Sequence, residues 1–232
     1  MDHRNRLLSL YDMLPFHQHP MWQAVLQGNL SPEEIARAEA QHFVRTRAGR
    51  KLRQQAVFQS KSKNEAIFQA MLETYLEECT DKQGPNHLEL VRRLVLSLGM
   101  SESELESTMP TPGNAAAIAL YRAIGERGFA CHMLGAGAVE FFYSRLCPSI
   151  FNKYTGHYGM SESAAETYRI HGPMDKEHAE RALGMLSEAL KFHTFEEIEL
   201  SVRDAFVATS LHYDGMLQAA TGKLRYWNGE TA

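Results

Sequence analysis

The sequence predicts an all-α protein, a bundle of about seven helices. Helix-capping residues followed by proline or acidic residues recur along the chain, and apolar residues repeat at spacings of three and four. No stretch alternates between apolar and polar residues for long enough to predict a strand, and there is no internal repeat or low-complexity linker. We therefore expect a single helical domain over residues 1–232, with its core between about residues 14 and 220.

The helices of the first half are predicted from their caps. Residues 31–34 (Ser-Pro-Glu-Glu) place a capping serine, a proline in the first turn and two acidic residues at the positive end of the helix dipole. They predict a long amphipathic helix that runs towards Phe58. Asn64 predicts the start of a second helix, which residues 83–86 (Gln-Gly-Pro-Asn) end, and a third helix then continues to Gly99.

Signals of the same kind predict the helix starts of the second half. They lie at residues 101–106, residues 111–114, Ser161, Pro173 and residues 194–197. The second of these, Thr-Pro-Gly-Asn, is expected to open a long helix of small residues that ends near Cys147-Pro148. The last, Thr-Phe-Glu-Glu, is a capping box, and its helix should end at about Ala220.

Composition excludes several classes of protein. With 44% hydrophobic and 22% charged residues, the chain is neither disordered nor fibrous. A net charge of −4 offers no basic surface for nucleic acid or anionic lipid, and the longest apolar run, Ala115 to Tyr121, is too short to span a membrane. The N-terminus lacks an apolar signal region, and three cysteines without CxxC spacing indicate reduced thiols. We therefore expect a cytoplasmic protein with no nucleic-acid or membrane partner.

The segment from His171 to His178 (His-Gly-Pro-Met-Asp-Lys-Glu-His) carries the clearest chemical signal. On a helix, Asp175 lies about 40° from His171 and His178 about 20° in the other direction, so two imidazoles and a carboxylate converge on one face. Pro173 should clash with the carbonyl of residue 169. We therefore expect either that His171 precedes the helix or that the helix is distorted there.

Two upstream features could complete a metal site. Glu77 lies ten residues before His87 across a turn, so antiparallel helices would bring both side chains to one level. Glu140 lies in an apolar stretch, where an ionised carboxylate is costly unless it is bound to a metal or paired with His132 or an arginine. Mixed nitrogen and oxygen ligands with open positions favour iron or manganese over structural zinc. The candidate ligands are Glu77, His87, Glu140, His171, Asp175 and His178.

A family resemblance follows from these motifs. Residues 19–22 (His-Pro-Met-Trp) and 26–31 (Leu-Gln-Gly-Asn-Leu-Ser) resemble the start of the haem-oxygenase-like fold, which thiaminase-II and PQQ-synthase share. The series E-x9-H, a lone Glu and H-x3-D-x2-H is similar to that of the haem-oxygenase-like diiron oxidases and oxygenases. The resemblance extends from about Leu14 to Ala220. It implies a haem-oxygenase-like bundle of about seven helices that binds two Fe2+ ions and activates O2, with an external reductant.

The resemblance also implies how the two irons are held. Glu77, His87 and His178 would bind one iron, His171 and Asp175 the other, and Glu140 would bridge them. Because the spacing in the first segment varies within the family, Glu78 competes with Glu77, and we prefer Glu77.

Members of this family oxidise guanidine nitrogens, amino acids or fatty acids, and we expect an amino-acid-type substrate. The narrowest expectation is the oxidative conversion of a tryptophan-like amino acid to a nitrile in natural-product biosynthesis. N-oxygenation or C–C cleavage of another amino acid or a fatty acid is the alternative. Phe141, Phe142 and Tyr143 could stack an indole-sized ring, although such residues are more often ordinary bundle core. Arg169 or Lys153 could hold a carboxylate if they face inward.

Other classes stay open at the level of sequence. A metal-free hydrolase like thiaminase-II would need a nucleophilic cysteine, for which Cys131 is the candidate. A haem oxygenase would need a proximal histidine, for which His17, His19 and His42 are available. A non-catalytic helical protein, with or without stored metal, is the third alternative. A homodimer is also possible.

Overall fold

The computed structural model describes residues 2–82 and 84–230. Within these ranges the chain forms eleven α-helices and two short 3₁₀ segments, Leu10–Met13 and Phe16–Gln18, and no β-strand. Seven of these α-helices have eleven or more residues, which confirms the all-α class. The helices are α1 (His3–Ser9), α2 (Pro20–Gln27), α3 (Pro32–Ser60), α4 (Glu65–Cys79), α5 (His87–Ser97), α6 (Glu102–Ser107), α7 (Pro112–Arg127), α8 (Phe129–Gly156), α9 (Glu166–Gly184), α10 (Leu186–Ala189) and α11 (Phe195–Thr221).

Most of the predicted helix starts are found where expected, but none lies at Ser161 or Pro173, because α9 begins at Glu166 and continues through Pro173. Ser31 and Thr194 each accept a hydrogen bond from the backbone of a glutamate three residues later, whose side chain bonds back to the backbone of the cap. Asn64 and Asn86 cap α4 and α5 through their side chains. In the predicted break at residues 83–86, Gln83 lies outside the described residues.

The predicted long helix from residue 111 to Cys147 is wrong, because two helices occupy this stretch. Gly128 separates α7 from α8 with φ 145°, a conformation that other residues rarely adopt. A Cβ at Gly128 would also lie 2.7 Å from His193 Nε2. Helix α8 then continues through Pro148 to Gly156, and the proline ring rests against Gly172 of α9. The proline is tolerated because Cys147, Ile150 and Tyr154 around it are fully buried in the core.

Helix α9 likewise runs without a break through Pro173, so His171 lies inside the helix and does not precede it. The helix packs closely along α8. At their contact, a Cβ at Gly137 would lie 2.5 Å from the Cβ of Ala182. Burial of the α9 residues Tyr168 and Ala179 stabilises this contact and offsets the hydrogen bond lost at Pro173.

Helices α7 and α11 cross at two glycines. A Cβ at Gly215 would lie 2.5 Å from the backbone nitrogen of Asn114, and a Cβ at Gly113 would lie 2.8 Å from the backbone nitrogen of Gly215. The buried Asn114 side chain donates hydrogen bonds to the carbonyl and side-chain oxygens of Gln41 in α3. This crossing therefore connects three of the long helices that enclose the core.

We expect Gly215→Ala to lower the free energy of unfolding by about 1–3 kcal/mol, because the added methyl group must displace the backbone of α7. The change should lower the melting temperature by roughly 2–10 °C. Gly49→Ala is the matched control: a Cβ there meets nothing within 4 Å, so it should stabilise α3 by about 0.5–1 kcal/mol. Thermal unfolding followed by circular dichroism measures both, and equal stability of the two variants would contradict this account of the crossing.

None of the helices in the described ranges combines the length and the hydrophobicity needed to cross a bilayer.

Candidate metal centre

A cavity of about 120 Å³ lies inside the bundle, lined mainly by α3, α4, α5, α7, α8, α9 and α11. Apolar and aromatic side chains, among them Trp22 and Met216, form part of the lining. The lining also contains carboxylates and imidazoles from four of these helices: Glu78, His87, His132, Glu140, His171 and Asp175. The topology thus brings together groups that are distant in the sequence.

Helix α9 supplies three of the predicted ligands from one buried face. His171, Asp175 and His178 are spaced by four and three residues, and all three side chains are buried. His171 Nδ1 lies 2.6 Å from the carbonyl oxygen of Thr167, which orients the ring so that Nε2 faces the cluster. The continuity of α9 through Pro173 therefore keeps these groups in helical register.

Glu78 lies at the middle of the cluster. Its Oε2 is 2.9 Å from His87 Nδ1, and its Oε1 is 3.3 Å from His171 Nε2 and 3.8 Å from His178 Nδ1. The side chain is only 5% exposed. One carboxylate thus faces all three histidines.

Glu77, which the sequence reasoning preferred, faces a different way. Its carboxylate accepts hydrogen bonds from Arg181 at 2.8 and 3.3 Å and lies 3.0 Å from His178 Nε2. Successive helical residues point about 100° apart, so only one of the two glutamates can face the cluster. A signal for Glu78 exists in the sequence, because it continues the buried stripe of Ile67 and Met71 at helical spacing.

Glu140 lies beside the cluster and is paired with an arginine. Its Oε1 accepts a hydrogen bond from Arg53 at 2.7 Å, while its Oε2 is 3.8 Å from His178 Nδ1. Burial alone would lower the pKa of Arg53, but the negative charges of Glu140 and Glu78 raise it. Of the two partners that the sequence left open for Glu140, the structure shows the arginine.

Three buried ligand atoms in this cluster have no hydrogen-bond partner among the described residues: Glu78 Oε1, His171 Nε2 and His178 Nδ1. The 3.3 Å approach of Glu78 to His171 is a charge contact without hydrogen-bond geometry. An unsatisfied buried polar atom costs about 1–3 kcal/mol, so three together need another explanation. They belong to two groups whose ligand atoms lie within 4.8 Å of one another, Glu78–His87–His171 and Glu78–Asp175–His178.

The protonation of the cluster also fits a cation. Burial would lower the pKa of His171, but the charges of Glu78 and Asp175 raise it to about 9. Burial raises the pKa of Asp175 well above its usual range, and the charges of Glu140 and Glu78 add to this. Burial also lowers the pKa of His87 to about 3, and the charge of His171 adds to this. A divalent cation would take the place of the proton on His171. Oxygen and imidazole donors without thiolate suit iron or manganese.

A second layer of hydrogen bonds surrounds His87. His87 Nε2 lies 3.2 Å from His42 Nε2, and His42 Nδ1 lies 3.0 Å from Glu39 Oε2. Glu39 is fully buried and accepts hydrogen bonds from the hydroxyls of Tyr154 and Tyr168 at 2.6 and 2.7 Å. Sequence reasoning missed this role of Glu39, although an acidic residue on the buried stripe of α3 was a detectable signal.

The predicted substrate residues divide into two groups. Tyr143 lines the cavity. Phe142 instead stacks on Tyr11 at 3.7 Å, and Phe141 lies under the Arg145 guanidinium at 4.4 Å. Because Glu140 faces inward, residues one and two positions later point about 100° and 200° away, and only residue 143 returns towards the same face.

The two predicted carboxylate-binding residues do not line the cavity either. The Arg169 side chain is 51% exposed and pairs with Glu166 on the same helix, so the expectation that it faces inward is wrong. Lys153 lies in the last turn of α8, away from the lining residues.

The residues that the alternative classes would need are buried or have other partners. Cys131 is fully buried and is not among the cavity-lining residues, and burial raises the pKa of its thiol, which makes it a poor nucleophile. His17 contacts the Tyr11 hydroxyl at 2.7 Å, His19 lies 3.3 Å from Asp214, and His42 contacts Glu39.

A sequence model described as iron-containing redox enzyme matches residues 40–211, about three quarters of the chain. The chain belongs to this family of iron-containing redox enzymes. The matched range contains every residue of the cluster, from Glu78 to His178. Membership of an iron-containing family agrees with a donor set of carboxylates and imidazoles. A comparison with curated proteins gives no match.

Solved structures that resemble this member of the family share its fold. A domain of unknown function with a heme oxygenase-like fold from Shewanella denitrificans has a TM-score of 0.75 and 18% identity, covering 92% of this chain and 90% of that one. A CADD-like protein of unknown function from Nostoc punctiforme has a TM-score of 0.76 and 17% identity, covering 94% and 96%. A TenA homolog from Pseudomonas syringae has a TM-score of 0.71 and 11% identity, covering 93% and 88%. The predicted haem-oxygenase-like fold is confirmed.

Proposed function

We propose that this protein is an O2-dependent non-haem diiron oxidoreductase that acts on a small amino-acid-type substrate. The observation that carries this proposal is the set of three buried ligand atoms, on Glu78, His171 and His178, that have no hydrogen-bond partner among the described residues. Glu78 and His171 line the cavity, and the ligand atoms of His178 lie within 4.8 Å of Glu78 and Asp175. Membership of an iron-containing redox family supports iron as the metal.

The donors form two ligand groups, each of which could hold an ion. Glu78, His87 and His171 would hold one ion, and Glu78, Asp175 and His178 the other. This partition differs from the one that the resemblance implied, in which Glu77 was a ligand and Glu140 the bridge. Glu140, which pairs with Arg53, would supply an additional carboxylate beside the two groups.

Iron at this centre would supply the electrons that activate O2. The chain's own residues would hold the cations, orient the histidine rings and exclude bulk water. Glu78 and Asp175 hold the cations with negative charge, while Glu77 and the Thr167 carbonyl orient the rings of His178 and His171. The buried apolar wall of the cavity keeps bulk water from the reacting groups.

The cavity favours an aromatic substrate. Four aromatic side chains line it, and they can stack a planar ring: Trp22, Tyr121, Tyr143 and Tyr213. As the narrowest form of the proposal, a tryptophan-like amino acid is converted to a nitrile in natural-product biosynthesis. Loss of the carboxyl group as CO2 with oxidation of the amine to a nitrile releases four electrons and four protons, which one O2 takes up to form two waters. The external reductant would then be needed only to bring the irons to the ferrous state.

We expect the purified chain to bind about two Fe2+ per molecule under anaerobic conditions, because two ligand groups share one carboxylate. Addition of O2 with L-tryptophan or another aromatic amino acid should then consume oxygen and yield a nitrile. Iron analysis after dialysis, an oxygen electrode and mass spectrometry of the products measure these three outcomes. Failure to bind iron would overturn the proposal. Tight iron binding without oxygen uptake across the amino-acid panel would instead favour a metal-storage protein.

A further inference from the structure

Three arginines of α3 line the cavity, and their partners differ. Arg53 donates a hydrogen bond to Glu140, and Arg50 donates one to the carbonyl oxygen of Cys79, both at 2.7 Å. Arg45 forms no ion pair and no hydrogen bond with the described residues, and its Nε is buried without a partner. Its guanidinium lies only over the ring of Tyr121, with 5.6 Å between them. A cation therefore lies at the cavity wall without an anion.

The next residue adds a second unpartnered donor. Thr46 also lines the cavity, and its hydroxyl is buried with no hydrogen-bond partner among the described residues. A helical threonine usually bonds back to the carbonyl three or four residues earlier, as Thr209 does to Ala205 in this chain. The hydroxyl of Thr46 is therefore available to a molecule in the cavity.

The surroundings of Arg45 leave its charge unbalanced. The carboxylates that line the cavity are Glu78 and Asp175 of the metal centre and Glu140, which pairs with Arg53 beside it. The neighbouring histidines do not supply negative charge either. Burial keeps the pKa of His212 well below its usual range, and the charge of Arg45 adds to this, so the ring is neutral; its Nδ1 donates to Asn114 Oδ1 at 2.9 Å. An anionic ligand would compensate the guanidinium.

We propose that Arg45 and Thr46 form the subsite that binds the carboxylate of the substrate. A guanidinium and a hydroxyl together match a carboxylate, since the guanidinium can donate two parallel hydrogen bonds and the hydroxyl a third. Calling the ligand the substrate rests on the proposed function, whereas the carboxylate site itself rests on the two unpartnered donors.

This subsite lies on α3, next to a residue that contacts the metal centre. Arg45 lies one helical turn from His42, which contacts the metal-centre residue His87. One turn further along, Gly49 lines the same cavity, and a Cβ there would meet nothing within 4 Å, so the space beside the helix is open. Apolar and aromatic side chains, among them Ile118, Tyr121 and Met216, also line the cavity. The ligand is thus a carboxylic acid with an apolar body, which describes both an aromatic amino acid and a fatty acid.

The test compares acids with neutral analogues on the Fe(II)-loaded chain under anaerobic conditions. The probes are L-tryptophan against L-tryptophanamide, and dodecanoate against dodecanol, and binding is measured by calorimetry. We expect the wild type to prefer one of the acids over its neutral analogue by about tenfold to a hundredfold, the range of a charge-assisted hydrogen bond. Arg45→Gln should abolish this preference and Thr46→Val should reduce it, while Arg45→Lys should retain part of it.

Arg122→Gln is the matched control, since it removes the same charge from an exposed arginine of α7 and should leave the preference unchanged. The carboxylate subsite is overturned if the wild type shows no acid preference in either pair, or if Arg45→Gln keeps it. A preference confined to dodecanoate supports the subsite and overturns the amino-acid substrate. Iron content measured on the same samples tests the proposed function separately, because loss of Arg45 should not release the metal.

Discussion

Replacing Glu78 with alanine is expected to abolish iron binding and, with it, oxygen consumption. Glu78 is the carboxylate that both ligand groups share, so its loss removes one ligand from each ion at once. Even outer-shell partners of metal ligands change affinity by about 10–100-fold, and a shared ligand should therefore change it by more than ~100-fold. Iron content after dialysis and oxygen uptake measure the effect.

Glu77→Ala is the matched control, because it removes the same side chain one position earlier. Glu77 contacts Arg181 and the outer nitrogen of His178, so its loss should weaken iron binding by about 10–100-fold without abolishing it. Circular dichroism should show unchanged helix content in both variants. If Glu77→Ala lost the iron and Glu78→Ala kept it, the ligand would be the glutamate that the E-x9-H spacing suggested.

Replacing Glu39 with alanine is expected to destabilise the fold by about 3–5 kcal/mol. The carboxylate is fully buried and accepts hydrogen bonds from Tyr154, Tyr168 and His42. Its removal therefore leaves three buried polar groups without their partner. The melting temperature should fall by roughly 6–20 °C. Because His42 contacts His87, the variant should also bind iron more weakly.

Glu39→Gln tests whether the charge or the hydrogen bonds carry this stability. The amide retains an acceptor oxygen for the tyrosine hydroxyls and should lose only about 1–2 kcal/mol. Thermal unfolding of both variants, with and without Fe2+, separates stability from metal affinity. If the alanine variant melted at the wild-type temperature, the buried network would have no structural role. The glutamine variant keeps the comparison possible if the alanine variant does not fold.

The start of each capped helix could be predicted because its causes are local. Ser31, Asn64 and Thr194 act on backbone groups within one turn, and those residues are adjacent in the sequence. Pro148 and Pro173 show the limit of local reasoning. Each weakens a helix by itself, yet α8 and α9 continue through them because they pack on each other along their length. The close contact of Gly137 with Ala182 shows how tightly these two helices pack.

The ligand types of the candidate site could be predicted from spacing, since His171, Asp175 and His178 share a helical face wherever that helix lies. The choice between Glu77 and Glu78 could not be made by counting residues between Glu and His. It depends on how α4 is rotated against α9, which Ile67 and Met71 decide by packing into the core.

By itself, the sequence determined the helical class, most helix starts and the kinds of groups that could hold a metal. The tertiary structure decided that Phe141 and Phe142 turn away from the cavity and that Arg45 rather than Arg169 faces it. It also showed that Glu78, which shares a helical stripe with Ile67 and Met71, is the glutamate that faces the histidines. The reason is physical. Capping and periodicity act between neighbours in the chain, whereas a side chain's partner is set by the packing of helices that are far apart in sequence.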